Sequence, residues 1–504
     1  MFSFQSSRAL FVIVAILVTC SVAQAQNGSD VLVVARTADA TGLDPHTQTA
    51  FASLRLLELI YEPLVNLDAN LNIIPALAES WDFSDDATQL TFHLRQGVEF
   101  HDGTNFTAED VVASYERILN EETGAAARAN FLSIESIDTP DEYSVVFNLS
   151  EPDVPLLTAM TDINAAIISS ENTDPSTETV GTGPFILENW TPDVATTLSA
   201  NANWWDEGPF VEGIEIRIIP DETAILAALR AGTIDFALLN DPLVATLLID
   251  DPNIVLNRVA SSDSYHVLQL NAERAPMDQL EVRQAISCAI DRQEVLDTAA
   301  LSEGQVIGPY IIPTYALPVS ELFCYEKDLD RARDLLAQAG LEDGFSLNLM
   351  AANEEPPTAL AEAQNIQAQL AEIGIQVEIE SLELGVYVDR WLAADFDMTV
   401  ALNSGPPDPY TMYARYWTST GNLNYVAGYR DETLDRLMAE GRAETDPAER
   451  FEIFAEFQRH LVEQAPWVWL YVGYEYTAHQ PYVTGFTPMP NDSLYYLSKV
   501  RLER

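Results

Sequence analysis

Along residues 75–119 the spacing of apolar positions changes period. Leu90, Phe92 and Leu94 alternate with Gln89, Thr91, His93 and Arg95, which predicts a strand with one buried face. Gly97 and the run His101-Asp102-Gly103 then punctuate the chain as turns. Thr107 with Asp110 makes a capping box of the weaker Asp kind. Val111, Val112, Tyr115, Ile118 and Leu119 lay an apolar stripe along the helix that the box opens. The stretch is strand, turn and capped helix, with nothing reactive in it, and His101 and Asp102 are turn residues.

The same reading extends in both directions. Residues 31–35 form a short apolar run, predicted as a buried parallel strand. Phe51, Leu54, Leu57, Leu59 and Ile60 mark a helix, and Tyr143, Val145 and Phe147 a further strand. Ile214, Ile216 and Ile218 predict a strand, residues 222–231 a helix ended by Gly232, and residues 234–239 another strand. This is a βαβ unit, which favours a parallel sheet. A second α/β rhythm follows. Helices are predicted over 281–300, 329–339, 359–373, 431–444 and 447–463, and strands over 345–349, 375–379, from 395, and over 467–472. The run 405–408 (Gly-Pro-Pro-Asp) forbids regular structure. Two α/β halves without a tandem repeat predict two lobes. The string Gly181-Thr182-Gly183-Pro184-Phe185 lacks the third glycine and any GK[ST] of a phosphate cradle, so it marks a tight chain reversal.

Charge sharpens this picture. The 504 residues carry 78 Asp and Glu against 25 Lys and Arg, a formal net charge of -53, and the only lysines are Lys327 and Lys499. Such a field repels nucleic acid and anionic lipid, so neither is expected as a partner. The surface suits salty surroundings or general solubility equally. At the N-terminus, Arg8, the apolar run 10–18 and Ala23-Gln24-Ala25 predict an export signal over 1–25, cleaved after Ala25. Lipid anchoring at Cys20 is the weaker alternative, because Thr19 fits a lipobox poorly. Cleavage leaves Cys288 and Cys324, for which separate buried thiols are preferred over a disulfide.

The strings ALAESW (76–81), TFHLRQGVEFHDG (91–103), FTAEDVVASYER (106–117), GTGPF (181–185), IPDETAILAALRAGTIDF (219–236) and VRQAISCAIDR (282–292) resemble the signature of family 5 extracellular solute-binding proteins. These are the periplasmic peptide, oligopeptide and nickel receptors of ABC importers. The resemblance implies an α/β, two-lobe periplasmic-binding-protein fold (type II, cluster C-like) with an inserted subdomain and a two-crossing hinge. The expected division is 26–60 first part of lobe I, 61–180 inserted subdomain, 181–269 second part of lobe I, 270–480 lobe II, and 481–504 a return to lobe I. The hinge crossings are expected near 269–271 and 480–481.

The implied activity is capture of a peptide or peptide-like solute between the lobes and its delivery to a membrane permease, by a periplasmic protein expected to be a monomer. A non-peptide solute (sugar, opine-like conjugate or metal chelate) is the alternative. A secreted hydrolase is a more distant one, because no GxSxG elbow, HExxH or CxxC occurs. No cofactor, catalytic group or resident metal is expected. By the same resemblance, Thr49, Phe51 and Tyr265 are candidate solute contacts of lobe I and the first crossing. Trp391, Asn403, Gly405, Asp408, Tyr410 and Trp417 are candidates on lobe II. Dipeptide receptors of the family use an Asp for the peptide ammonium, where Gly405 (or Pro406) stands here, and an Arg for the carboxylate, where Asn353 stands. Neither terminal charge of a free dipeptide then finds its usual partner, which makes free dipeptides unfavourable; Asp408 is the nearest replacement for the ammonium. Bare nickel is not expected, since no cluster of His and Cys is visible.

Overall fold

The computed structural model describes residues 30–504 except 173, 263, 354 and 355. The export signal, Cys20 and the cleavage site lie outside the described residues. Ten strands run side by side in the order Ile375–Leu382, Phe345–Ala352, Met398–Ser404, Ser264–Leu270, Trp467–His479, Phe236–Leu239, Val31–Arg36, Gly213–Ile218, Ala195–Ala200 and Phe185–Thr191. Val31–Arg36 is parallel to both Gly213–Ile218 and Phe236–Leu239, so the predicted βαβ unit closes around the first strand of the chain. At the far end Phe345–Ala352 is parallel to Ile375–Leu382 across the helix Ala359–Ala371.

The strand Trp467–His479 bridges two sheets. Its first residues, Trp467 to Tyr471, pair with Ser264–Leu270, while Tyr474 to His479 pair with Val255–Ala260. The partner changes at Gly473, which faces Gly304 on one side, with Tyr474 next to it facing Ala260. The returning crossing lies between Ala260 and Ser264, where Ser261 N donates to Gly473 O at 2.9 Å. Both changes of sheet thus fall upstream of 269–271 and 480–481. The strand was expected over 467–472 and has 13 residues, because its second half alternates polar positions that lie against a neighbouring strand.

Residues 61–180 contain a separate four-stranded antiparallel sheet, ordered Ala78–Phe83, Gln89–Leu94, Ser144–Leu149, Ile134–Asp141. The helix Ala108–Leu119 covers it, burying Val111, Tyr115 and Ile118 against Phe92 and Phe147. Its capping box forms: Asp110 Oδ2 accepts from Thr107 N at 2.8 Å, and Thr107 Oγ1 from Glu109 N at 3.3 Å. The glycines at 181 and 183 are required by close approach. A Cβ on Gly181 would stand 2.1 Å from Ile60 O, and Gly183 N donates to that oxygen at 2.9 Å.

Two sequence expectations change in the second half. The helix expected over 281–300 is two helices, Leu280–Ala289 and Arg292–Ala299, because Asp291 restarts it as an N-cap for Glu294 N at 3.0 Å. Cys288 and Cys324 form a disulfide across a sequence separation of 36. Cys324 has a left-handed backbone (φ 51°). Near the C-terminus, Val483, Leu494, Leu497 and Val500 pack with Leu32, Val34 and Ile214 in the core beside the first strand.

Candidate ligand-binding cleft

A cavity of about 410 Å³ opens between residues of the first part of the chain and the C-terminal stretch on one side and residues 404–415 on the other. This falls within the 300–1,000 Å³ typical of small-molecule sites. One wall is the helix Phe51–Leu57 with the chain that follows it, the turn at 158–163 and the C-terminal stretch at 491–495. The opposite wall is residues 404–407, at the end of the strand Met398–Ser404, and one face of the helix Pro409–Trp417.

The first wall is organised by buried acids. Glu58 accepts from Ser493 Oγ at 2.8 Å, from Leu494 N and from Arg55 Nη1 at 3.4 Å, tying helix to C-terminus. Burial raises its pKa against the pull of Arg55. Arg55 also donates to Asn491 O. Glu62 accepts from the indole nitrogens of Trp204 at 3.0 Å and Trp205 at 2.9 Å and from Thr182 Oγ1 at 2.9 Å. Its partners are neutral, and burial pushes it up to about 7. Phe51, 65% exposed, projects at the rim with the Arg55 guanidinium 5.9 Å from its ring.

The second wall hangs on Asp408. Its Oδ1 accepts from Tyr410 N at 2.9 Å and Thr411 N at 3.0 Å, capping the helix ahead of Pro409. Its Oδ2 pairs with Arg450 Nη2 at 2.8 Å, 1% and 7% exposed respectively as side chains. Arg450 in turn donates to Gly441 O at 2.8 Å and lies 3.0 Å from Tyr315 Oη. Gly405 lets the loop lie against the helix, since a Cβ there would come within 3.0 Å of Met412 Cα. Met412, Tyr413, Tyr416 and Trp417 are buried in the core behind this wall. Thr411 and Arg415, one turn apart on the helix, line the cavity.

Of the residues singled out from sequence, the structure brings Phe51 and Gly405 together on the cavity wall. The others sit elsewhere. Thr49 is exposed in the loop before the helix. Tyr265 is fully buried, edge-on to Tyr413 at 5.9 Å, with Asn403 Nδ2 3.5 Å from its hydroxyl. Asn403 accepts from Gln269, and Gln269 accepts from Trp391 Nε1 at 2.8 Å, so these three form a polar relay within lobe II. Trp417 packs edge-on to Trp467 at 4.8 Å in the core. Asp408 lies behind the wall as cap and ion-pair partner, and Tyr410 lies beneath the Arg442 guanidinium at 5.4 Å. Sequence reading missed Arg55, Asp162, Thr411 and Arg415, all on the cavity wall. The last two were accessible as an i, i+4 pair on a helix that Asp408 begins.

A polar contact away from the bridging strand also joins the two sides. Arg442, in the helix Glu432–Ala443, meets Glu151 at 2.9 Å and Asp153 at 3.3 Å, and its carbonyl accepts from Val154 N at 3.0 Å.

Residues 72–424 match the model of bacterial extracellular solute-binding proteins, family 5 Middle. The chain belongs to this family. It is 28% identical over 480 residues to heme-binding protein A of Haemophilus influenzae, covering 87% of this chain and 86% of the relative. It is 29% identical over 511 residues to di/tripeptide-binding protein 2 of Pseudomonas aeruginosa, with coverages of 94% and 95%. The ABC transporter-associated periplasmic binding protein DppA of Helicobacter pylori, solved with the peptide STSA, superposes with a TM-score of 0.70 at 28% identity over 94% of this chain and 98% of that one. This family 5 solute-binding protein is a two-lobe α/β receptor. Among the described residues no helix is long and apolar enough to cross a membrane.

Proposed function

We propose that this family 5 receptor is exported, holds a peptide or peptide-like solute in the 410 Å³ cavity, and passes it to the membrane permease of an ABC importer without chemical change. The observation that carries the reading is the cavity's placement between the helix Phe51–Leu57 with residues 158–163 and 491–495 on one side and residues 404–415 on the other. A solute touching both contributes contacts in the closed arrangement that neither wall offers alone. The lobes rotate about the two changes of sheet, at 261–262 and at Gly473. A micromolar solute gains about 8 kcal/mol in total, so modest contacts from each wall suffice.

The test is a thermal-shift screen of the purified protein against peptide libraries. Stabilisation that rises with peptide concentration supports the reading. Cleavage of any bound peptide, or a shift only with sugars or metal chelates, would redirect it.

A further inference from the structure

We infer that Arg415 anchors an anionic group, a carboxylate of the solute, from the lobe II side; this rests on the receptor reading above. Lobe II contributes Ser404, Gly405, Pro406, Pro407, Thr411 and Arg415 to the cavity, and only Arg415 of these is ionisable. Arg415 makes no ion pair among the described residues. Its Nη2 donates to the Ser404 carbonyl, and its buried Nε has no hydrogen-bond partner.

The acids across the cavity are otherwise engaged. Glu58 is held by Arg55, Ser493 and Leu494, and Glu62 by two indoles and a hydroxyl. Asp162 accepts from Asn164 N at 2.9 Å. The countercharge for Arg415 therefore comes from the solute, and a planar guanidinium with free donors matches a carboxylate. Asn353, after the strand Phe345–Ala352, is not on the cavity wall, whereas Arg415 of the helix Pro409–Trp417 is.

The experiment measures binding of a tripeptide library with free C-termini and of the same library C-amidated, by calorimetry, to the wild-type chain and to Arg415→Gln and Arg415→Lys. Expected is at least tenfold weaker binding of the amidated set to wild type. Arg415→Gln should lose the same factor on the free-acid set and little on the amidated one, while Arg415→Lys keeps part of the preference. Equal binding of both sets by wild type overturns the inference and leaves the receptor reading standing, and needs no variant to fold. Equal affinity of Arg415→Gln and wild type for the free acids does the same. Binding of neither set by wild type overturns the peptide reading and the inference with it.

Discussion

Glu62 in the first wall of the cleft and Asp408 behind the second are both 1% exposed, and the fold treats them oppositely. Asp408 is held by a cation and two backbone N–H groups, so its charge is matched in place. Glu62 is held by neutral donors alone, and burial pushes it up to about 7. The lobe II wall is therefore fixed by an ion pair that fails if one member is lost. The lobe I wall is fixed by a network whose charge depends on the medium.

Breaking the lobe II arrangement has the largest effect. Arg450→Ala leaves the Asp408 carboxylate buried without its cation and should cost about 3–5 kcal/mol in urea unfolding, with loss of solute binding as the wall at 404–411 loosens. Removing both charges, Arg450→Met with Asp408→Asn, should recover much of that stability. If the single and double variants unfold alike, the pair is not what holds the wall.

The lobe I wall is broken by pH. Glu62 binds its proton more tightly in the folded chain than at the ordinary value of 4.5. Its contribution is therefore fully present below about 4.5 and is lost as pH rises through about 7. Over that window the loss amounts to about 3 kcal/mol. Glu62→Gln should flatten this part of the stability profile. An amide NH2 facing an indole donor adds only a pH-independent offset, so the difference between variant and wild type across pH 4.5–8 is the quantity to measure.

The smallest effect is at the contact of Arg442 with Glu151 and Asp153. Arg442 is partly exposed, and Arg442→Ala should cost only about 0.5–1 kcal/mol. Its signature is geometric: the radius of gyration of the unliganded protein in X-ray scattering should rise as the open population grows about two- to fivefold. An unchanged scattering profile would make the contact incidental.

Much of the architecture was legible because local signals and tertiary packing agree. The capping box at Thr107, the stripe of Val111, Tyr115 and Ile118, and the alternation at Leu90, Phe92 and Leu94 each specify their partner face. The long strand was cut short because residues 474–479 mix aromatic, acidic and hydroxyl side chains, and their strand character comes from pairing with Val255–Ala260. The site was harder. Tyr265 and Trp417 have the composition of a ligand wall and the position of a core, and only the packing against Tyr413 and Trp467 separates the two. Asp408 was visible as important, but its partner Arg450 lies 42 residues away in sequence. Arg415 stands one turn from Thr411, a spacing the sequence carries, but its place on the cavity wall is set by the fold.

The bridging strand makes the molecule a torsion element. Its 13 residues are hydrogen-bonded into lobe II before Gly473 and into lobe I after it, so relative rotation of the lobes is delivered to the chain as twist about one short axis. Strands accommodate twist more readily than in-plane bending. A Cβ on Gly473 would meet nothing within 4 Å, so the bridge can be stiffened there by Gly473→Ala without steric conflict, altering the spring while leaving both solute walls as they are.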